Sequence, residues 1–237
     1  MTLLINGCSF AKAWNVSEEF QNELGCTNTV NIGKDGTSFP RTIRSTVEWI
    51  AQNGNPAFAI IPITYAHRWE MAIAKEDDDI DGTWHPVLEE PHLNLDKIDL
   101  NSISEDKFKK LVPYYHGCVP NIRTYWDKIF TDIILLASLF EARGIKYLMC
   151  DMVNNFEEKH LADYKGFSKL NLIRNNKNIV DLFSFCGNNF MYHKLPEKER
   201  ENVDPYLWHH EDREYKHFEE YLIRYLNAEL STKKSII

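Results

Sequence analysis

The sequence places a hydroxyl nucleophile where a protein fold can activate one. Leu3-Leu4-Ile5 is a short, continuous apolar run of the kind that forms a buried central strand, and it ends in Asn6-Gly7. Ser9 then stands in the turn Gly7-Cys8-Ser9-Phe10, at the expected start of a helix. Backbone N–H groups and the helix dipole converge at such a point, so we predict that Ser9 is a nucleophile. A purely structural role, in which the Ser9 hydroxyl caps the helix, fits the same position equally well.

A second set of reactive side chains lies towards the other end of the chain. Asp204 and the adjacent pair His209 and His210 precede the terminal amphipathic helix. A histidine beside a serine can take its proton as a general base, and a carboxylate can orient the imidazole ring. We therefore predict a catalytic set of Ser9, one of the two histidines, and Asp204. Surface or helix-capping histidines are the structural alternative.

The histidine spacing also permits a metal site. His210, Glu214 and His217 stand at i, i+4 and i+7 and could share one helical face, which with His209 would suit a metal-dependent phosphoesterase. The histidines lack a convincing third and fourth ligand, and the five cysteines include no C-x-x-C pair. We therefore expect no bound metal and no cofactor.

The net charge of −8 is concentrated in one segment. Residues 76–106 hold eleven Asp or Glu residues against the single Lys97, and the remaining surface is close to neutral. No basic stripe interleaved with aromatic residues is present, so nucleic acid is not expected as a partner. The apolar run at 133–140 is far shorter than the ~20 residues of a membrane span, so no membrane partner is expected. The absence of a signal-peptide pattern and the scattered cysteines predict a cytoplasmic protein.

Alternating strands and helices must position the reactive groups. Apolar runs at 29–32, 57–63 and 145–150 predict strands after the first one, and helical spacing predicts helices over 40–51, before Gly144 and over 213–230. This alternation predicts an α/β fold with a three-layer, doubly wound, mainly parallel sheet, whose ligands bind at the carboxyl ends of the strands. We expect one domain over residues 1–237. An acidic insertion at about 75–107 would lie over that edge, either as a lid or as a solvated loop.

The order of these features resembles that of the SGNH, or GDSL-like, hydrolases. Gly7-Cys8-Ser9 is similar to their Gly-Asp-Ser block, and Gly36, in the turn after the second strand, is similar to their oxyanion glycine. The opening motif and the segment 64–70 especially resemble uncharacterised SGNH-like proteins of tailed phages and bacteria. The resemblance implies an SGNH/flavodoxin-like fold. It also implies a serine hydrolase, either an esterase or an acyltransferase, acting on an acyl ester of a carbohydrate or a small polar metabolite.

Two features of that family are absent from this chain. The third block of the family supplies a side-chain amide to the oxyanion hole, whereas Thr64 and Tyr65 stand there in this sequence, so a hydroxyl must replace the amide. The Asp-x-x-His spacing is also missing; Asp204 is the nearest upstream acid, and His209 fits the family's register better than His210. The missing asparagine favours an alternative function, a non-catalytic binding protein that retains the SGNH fold.

Further polar residues follow the third predicted strand. Arg68 could bind a substrate carboxylate or phosphate through two parallel hydrogen bonds, with Glu70 beside it. An Arg–Glu ion pair that fixes the loop explains both residues equally well. Cys8 is a rival nucleophile by type, although a residue that leaves a buried strand usually packs in the core.

Overall fold

A computed structural model describes residues 1–34, 37–64, 69–72, 84–87, 122–151, 167–181 and 212–234. Within those ranges the chain forms a five-stranded sheet, a separate two-stranded hairpin, and helices on both faces of the larger sheet. The strands are β1 (Thr2–Ile5), β2 (Asn28–Asn31), β3 (Phe58–Ile63), β4 (Trp69–Ala72), β5 (Trp84–Val87), β6 (Lys146–Asp151) and β7 (Ile179–Asp181). The helices are α1 (Ser9–Ala13), α2 (Glu18–Glu23), α3 (Phe39–Asn53), α4 (Ile122–Ala142), α5 (Phe167–Arg174) and α6 (Asp212–Lys234).

The larger sheet has the strand order β2-β1-β3-β6-β7, and all of its neighbouring strands are parallel. The chain moves from β1 outwards to β2 and then returns to β3 on the other side of β1, so the winding direction reverses between β1 and β3. In open α/β sheets such a switch point opens a crevice at the carboxyl ends of the strands, where ligands bind. The predicted doubly wound α/β fold is confirmed.

Strand β1 is central and covered on both faces, as its uninterrupted apolar run predicts. Leu3, Leu4 and Ile5 have no exposed surface. Leu3 and Ile5 pack on one face of the sheet and Leu4 packs on the other, because successive side chains of a strand alternate. A strand with water on one face would carry a polar residue at every second position.

The helices divide into two layers. Helices α1, α2 and α6 cover the face of Leu3 and Ile5, with Phe20 and Phe218 fully buried between them. Helices α3, α4 and α5 cover the face of Leu4. The helix predicted before Gly144 is α4, and the apolar residues that give it its helical spacing are all buried: Trp126, Phe130, Ile133, Ala137 and Phe140.

The ends of the helices follow local capping rules. Ser38 accepts a hydrogen bond from the Arg41 amide at the start of α3, and Gly54, with a φ of 82°, ends that helix. The predicted stop of α4 at Gly144 is confirmed by a φ of 65°, in the left-handed region that glycine tolerates.

The region predicted as an acidic insertion is described only in part. Strands β4 and β5 pair antiparallel, with Trp69 opposite Val87, and form a sheet of their own. Strand β5 lies within the predicted insertion, and the two-stranded sheet is not continuous with the larger one. The boundaries of the domain and of the insertion remain predictions. Among the helices that the structure describes, none is both long and apolar enough to cross a membrane.

Candidate active site at the β1–β3 switch point

Ser9 lies at the switch point between β1 and β3. Ile5 is in register with Ile60, and the amide of Asn6 donates to the carbonyl oxygen of Ile60, so the chain leaves β1 beside the second half of β3. Ser9 is then the first residue of α1, and Cys8 occupies the N-cap position without a side-chain cap. Ser9 is half-buried, and its hydroxyl makes no hydrogen bond to any residue in the described ranges. Ser9 therefore does not cap α1, although its position in the sequence allowed that role.

The structure separates Ser9 from the neighbouring thiol. Cys8 is 1% exposed, whereas Ser9 retains partial access to solvent. The other described thiols are no better placed for chemistry. Burial raises the pKa of Cys150, with the charge of Asp151 adding to the effect, and burial likewise raises the pKa of Cys26. Neither of these two thiols supplies an appreciable thiolate at neutral pH.

Two glycines let the backbone pack closely around Ser9. A Cβ atom on Gly7 would lie 3.0 Å from the Ala11 Cβ and 3.1 Å from the Pro62 carbonyl oxygen. A Cβ atom on Gly33 would lie 2.7 Å from the backbone nitrogen of Lys12. It would also lie 2.9 Å from the Ala11 Cβ. Because Ala11 and Lys12 both belong to α1, the turn after β2 packs directly against the helix that begins at Ser9.

Hydrogen bonds join the turn after β1 to the turn after β2. The Lys34 amide donates to the Gly7 carbonyl oxygen at 3.0 Å. The Thr37 hydroxyl donates to the Lys34 carbonyl oxygen at 2.9 Å. Thr37 Oγ1 also lies 3.5 Å from the Gly7 carbonyl oxygen. Gly36 itself, the predicted oxyanion glycine, lies outside the described residues. Lys34 and Thr37, which flank the pair 35–36 in the chain, both contact the turn that carries Ser9.

A buried polar cluster underlies the two turns. Asn6 is fully buried, and its Nδ2 donates to the Thr42 carbonyl oxygen at 2.9 Å and to Ser45 Oγ and Thr46 Oγ1 at 2.8 Å each. Arg41 is 7% exposed and donates from one guanidinium nitrogen to the Ile32 carbonyl oxygen at 2.9 Å and to Asn6 Oδ1 at 3.4 Å. These contacts link the end of β1, the end of β2 and the first turns of α3.

The exits of β3 and β6 lie at the same edge of the sheet. Thr64 directly follows β3 and has no exposed surface. Asp151, which ends β6 and is in register with Ile63, is also fully buried. The hydroxyl and the carboxylate therefore both stand at the carboxyl ends of the strands, Thr64 on the strand adjacent to β1 and Asp151 one strand further along the sheet.

The terminal helix is held against the segment that carries Ser9. The Tyr215 hydroxyl donates to the Phe10 carbonyl oxygen at 2.8 Å, and the Tyr215 ring stacks on Trp14 with a centroid distance of 6.2 Å. Glu219 is 3% exposed; its Oε1 accepts from the Trp14 indole nitrogen and from the Ser17 amide, both at 2.9 Å. The other carboxylate oxygen accepts from the Ser17 hydroxyl. The beginning of α6 is thereby fixed beside α1.

The structure describes some of the sequence-predicted site residues and not others. Ser9 and Thr64 are brought to the same edge. Glu70 lies in β4, paired with Pro86, and its side chain is not described. The remaining predicted residues lie outside the described ranges: Gly36, Tyr65, Arg68, Asp204, His209 and His210.

Sequence reasoning missed Asn6, Arg41 and Asp151. A polar residue directly after an apolar strand was the available signal for Asn6 and for Asp151. Arg41 gave no such signal, because a cationic residue on an amphipathic helix is usually exposed.

A cavity lies away from this site. It has a volume of about 400 Å³ and opens at the amino ends of β3 and β6, where Phe58, Lys146 and Tyr147 line it. Burial raises the pKa of Tyr147 to about 12, and its hydroxyl donates to Glu141 Oε1 at 2.7 Å. The phenol is therefore a neutral donor, and the cavity belongs to the edge opposite Ser9.

Comparison with known proteins finds likeness in structure but not in sequence. No family model matches the chain, and no curated protein matches it. A candidate lipolytic protein of the G-D-S-L family from Desulfitobacterium hafniense DCB-2 is 12% identical, with a TM-score of 0.48 over 94% of this chain and 98% of that chain. The psychrotrophic esterase EstA from Pseudoalteromonas sp. is 10% identical, with a TM-score of 0.47 over 97% and 98%. A candidate acylhydrolase from Bacteroides fragilis NCTC 9343 is 14% identical, with a TM-score of 0.48 over 97% and 88%. Similarities this low do not assign an activity to the chain.

Proposed function

We propose that this protein is a serine hydrolase, an esterase or an acyltransferase, that acts on an acyl ester of a carbohydrate or a small polar metabolite. The position of Ser9 carries the proposal. Ser9 is half-buried at the switch point of the sheet, at the start of a helix, and its hydroxyl makes no hydrogen bond within the described residues. A serine that only capped the helix would accept a hydrogen bond from an amide in the first turn.

In the proposed reaction, Ser9 Oγ attacks the acyl carbonyl carbon while His209 or His210 takes the hydroxyl proton. The resulting imidazolium then gives the proton to the leaving alcohol as the carbonyl re-forms. This leaves an acyl-enzyme, which water or an acceptor alcohol cleaves by the same steps in reverse. Asp204 orients the imidazole and stabilises its positive charge. No metal or cofactor takes part in these steps.

The oxyanion of the tetrahedral intermediate needs at least two converging donors. The first amides of α1 have no partner within the helix, and Ser9 supplies one of them. The Gly36 amide, two residues after Lys34, whose own amide bonds to the Gly7 carbonyl oxygen, is the second donor in this proposal. A hydroxyl of Thr64 or Tyr65 is the third donor, in place of the side-chain amide that the SGNH hydrolases use.

The attachment of the start of α6 to α1 supports a histidine at this site. Helix α6 begins at Asp212, only two residues after His210. Tyr215, less than one turn further along α6, bonds to the residue after Ser9. This contact holds the start of α6, which His209 and His210 precede in the chain, beside the segment that carries Ser9, and it supports the choice of one of them as the general base.

Labelling with a fluorophosphonate, followed by mapping of the modified peptide, tests the proposal. We expect covalent modification at Ser9 in the intact protein and none after denaturation. Ser17 provides a matched control, because it also begins a helix near α1 but its hydroxyl is engaged with Glu219 and with the Phe20 amide. Labelling absent from Ser9, or equal at Ser9 and Ser17, would reject Ser9 as an activated nucleophile.

A non-catalytic binding protein with this fold is the second candidate function. The observation that favours it is Thr64, which stands where a side-chain amide is expected and has no exposed surface to offer to a ligand. Loss of one oxyanion donor lowers the rate of other hydrolases by a factor of roughly 100 to 1,000. A protein that does not turn over activated esters and yet binds sugars at the Ser9 edge would fit this function.

The polar residues beyond β3 extend the proposal to substrate selection. Arg68 and Glu70 follow the switch-point strand, and we propose that they contact polar groups of the substrate. The acidic segment at about 75–107 is proposed as a cover for the same edge within a single domain. Removal of residues 77–106 should leave a folded core with altered selectivity or turnover. A truncated chain that fails to fold would show that the segment belongs to the core.

A further inference from the structure

The strongest unassigned feature near Ser9 is the buried pair Asn6 and Arg41. We propose that these two residues are positioning residues, which hold the turn that carries Ser9 at a set distance from the turn between β2 and α3. The inference deepens the proposed function and rests on it. Neither side chain is proposed to touch the substrate.

Asn6 connects three elements through its own groups. Its backbone amide bonds to Ile60 in β3, and its side-chain nitrogen bonds to the Thr42 carbonyl oxygen and to Thr46 in α3. Three acceptors lie within 2.9 Å of that nitrogen, which has two hydrogens, so the loss of any single acceptor leaves the side chain held. Asn6 is two residues from Cys8, the cap of α1, and therefore transmits the position of α3 to the start of α1.

Arg41 closes the link to the second turn. One guanidinium nitrogen contacts both the Ile32 carbonyl oxygen, at the end of β2, and Asn6 Oδ1. Arginine presents its donors in a rigid plane, so two acceptors on one nitrogen are held in a defined relation. Ile32 in turn donates its amide to the Ile5 carbonyl oxygen at 2.9 Å. A closed loop of contacts thus runs from β1 through Asn6, Arg41 and Ile32 back to β1.

The burial of Arg41 argues for a role beyond packing. Arg41 as a whole is 7% exposed, so its side chain has lost most of its hydration, and an apolar side chain of similar length would fill the same volume without that cost. An apolar side chain could not donate hydrogen bonds to the Ile32 carbonyl oxygen and to Asn6 Oδ1. Among the contacts between described residues, the two that the Arg41 guanidinium makes to Ile32 and Asn6 join the two turns.

The proposed reaction makes the spacing of the turns matter. Ser9 belongs to the first turn, and the proposed Gly36 donor belongs by its sequence position to the second, which bonds to the first through Lys34 and Gly7. A shift of about 1 Å between reacting groups can lower a rate by a factor of about 100. Loss of the Arg41 contacts should therefore lower the rate of the covalent step and leave reversible binding nearly unchanged.

The experiment compares Arg41→Met, Arg41→Lys and Thr46→Val with the wild-type chain. Thr46→Val is the matched control, because it removes a buried hydrogen bond to Asn6 on the same helix while leaving the contact between the turns in place. For a fluorophosphonate, we expect the limiting labelling rate of Arg41→Met to fall about 100-fold with little change in the half-saturating concentration. Arg41→Lys should recover part of the rate, and Thr46→Val should label as the wild type does.

A second measurement reads the link between the turns without any chemistry at Ser9. Hydrogen exchange of the Lys34 amide reports the bond from Lys34 to Gly7 directly. We expect strong protection in the wild type and in Thr46→Val, and protection reduced at least about tenfold in Arg41→Lys and Arg41→Met. An unprotected Lys34 amide in the wild type would overturn the proposal even if every Arg41 variant failed to fold.

The two measurements separate the possible failures. A wild-type chain that does not label at Ser9 contradicts the proposed hydrolase, while the exchange result still decides whether Arg41 joins the turns. A wild-type chain that labels, with Arg41→Met equal to it in labelling rate and in Lys34 protection, contradicts the positioning role alone. Equal losses in Arg41→Met and Thr46→Val would show a general structural effect and would also overturn it.

Discussion

The Tyr215 hydroxyl donates a hydrogen bond to the carbonyl oxygen of Phe10, the residue directly after Ser9. Tyr215 lies in the first turn of α6, and Phe10 lies in the first turn of α1. The two helices therefore begin at one place, although about two hundred residues separate them in the chain. The start of α6 is in this way held beside the start of α1 by a hydrogen bond between a side chain and the backbone.

The histidines of that segment are the first target for substitution. We expect His209→Ala to lower ester hydrolysis at least about 100-fold, because general-base catalysis contributes roughly 100 to 10,000-fold. His210→Ala should have a smaller effect. The activity of the wild type should fall on acidification, since a protonated imidazole cannot accept the Ser9 proton. Measurement of kcat/KM against pH for both variants checks this, and full activity in the His209→Ala, His210→Ala double variant would exclude both residues as the base.

Substitution of Ser9 separates chemistry from stability. Ser9→Ala should abolish turnover of short activated esters and change the free energy of unfolding by less than about 1 kcal/mol, because Ser9 does not cap its helix. Ser17→Ala is the opposite case, since the Ser17 hydroxyl accepts from the Phe20 amide at 3.1 Å and contacts Glu219. That variant should lose about 1 kcal/mol or more and retain activity. Esterase assays with urea denaturation compare the two, and turnover retained by Ser9→Ala would remove Ser9 from catalysis.

Gly33 and Gly25 offer a comparison of steric clash with backbone strain. In Gly33→Ala the new Cβ would lie 2.7 Å from the Lys12 nitrogen, so α1 must shift, at a cost of about 1 to 3 kcal/mol. In Gly25→Ala the Cβ meets nothing within 4 Å, but a φ of 66° strains alanine by about 1 to 2 kcal/mol. The stability losses should be similar, while only Gly33→Ala should reduce labelling of Ser9. Equal labelling in both variants would show that the position of α1 does not govern the reactivity of Ser9.

Glu219 tests how α6 is attached. Glu219→Ala leaves the Trp14 indole N–H and the Ser17 amide without their acceptor, and each such loss costs about 1 to 3 kcal/mol. Glu219→Gln retains an oxygen for these two donors and should cost less than the alanine variant. Urea unfolding followed by tryptophan fluorescence measures the difference. Equal destabilisation by alanine and glutamine would indicate that the charge, and not the acceptor geometry, holds the helix.

The large elements of the fold could be predicted because their signals are local. The apolar run at Leu3–Ile5, the stripe of α4 and the stop at Gly144 each follow from neighbouring residues. Strand β7 was missed because its three residues are too few to show a period. Helix α2 was missed for a different reason: Phe20 is its only buried residue, and its position depends on Ser17 and Glu219, which are far apart in sequence.

Within the candidate site, too, local features could be predicted from the sequence and long-range contacts could not. The position of Ser9 follows from strand, glycine and helix start, which are consecutive in the chain. The contacts of Asn6 with α3 and of Arg41 with Ile32 form only when β1, β2 and α3 have packed, so no local pattern in the sequence predicts them. The roles of His209, His210 and Asp204 remain predictions, since those residues lie outside the described ranges.

The attachment of α6 to α1 has a consequence for folding during synthesis on the ribosome. Trp14 and Glu219, which hydrogen-bond to each other, are 205 positions apart in the chain. At synthesis rates of about 5 to 20 residues per second, roughly 10 to 40 s pass between the two. During that time the apolar face of Leu3 and Ile5 has emerged from the ribosome without the helix that will cover it. The nascent chain therefore offers a binding surface to chaperones, and slower translation of the last third of the message should increase its aggregation.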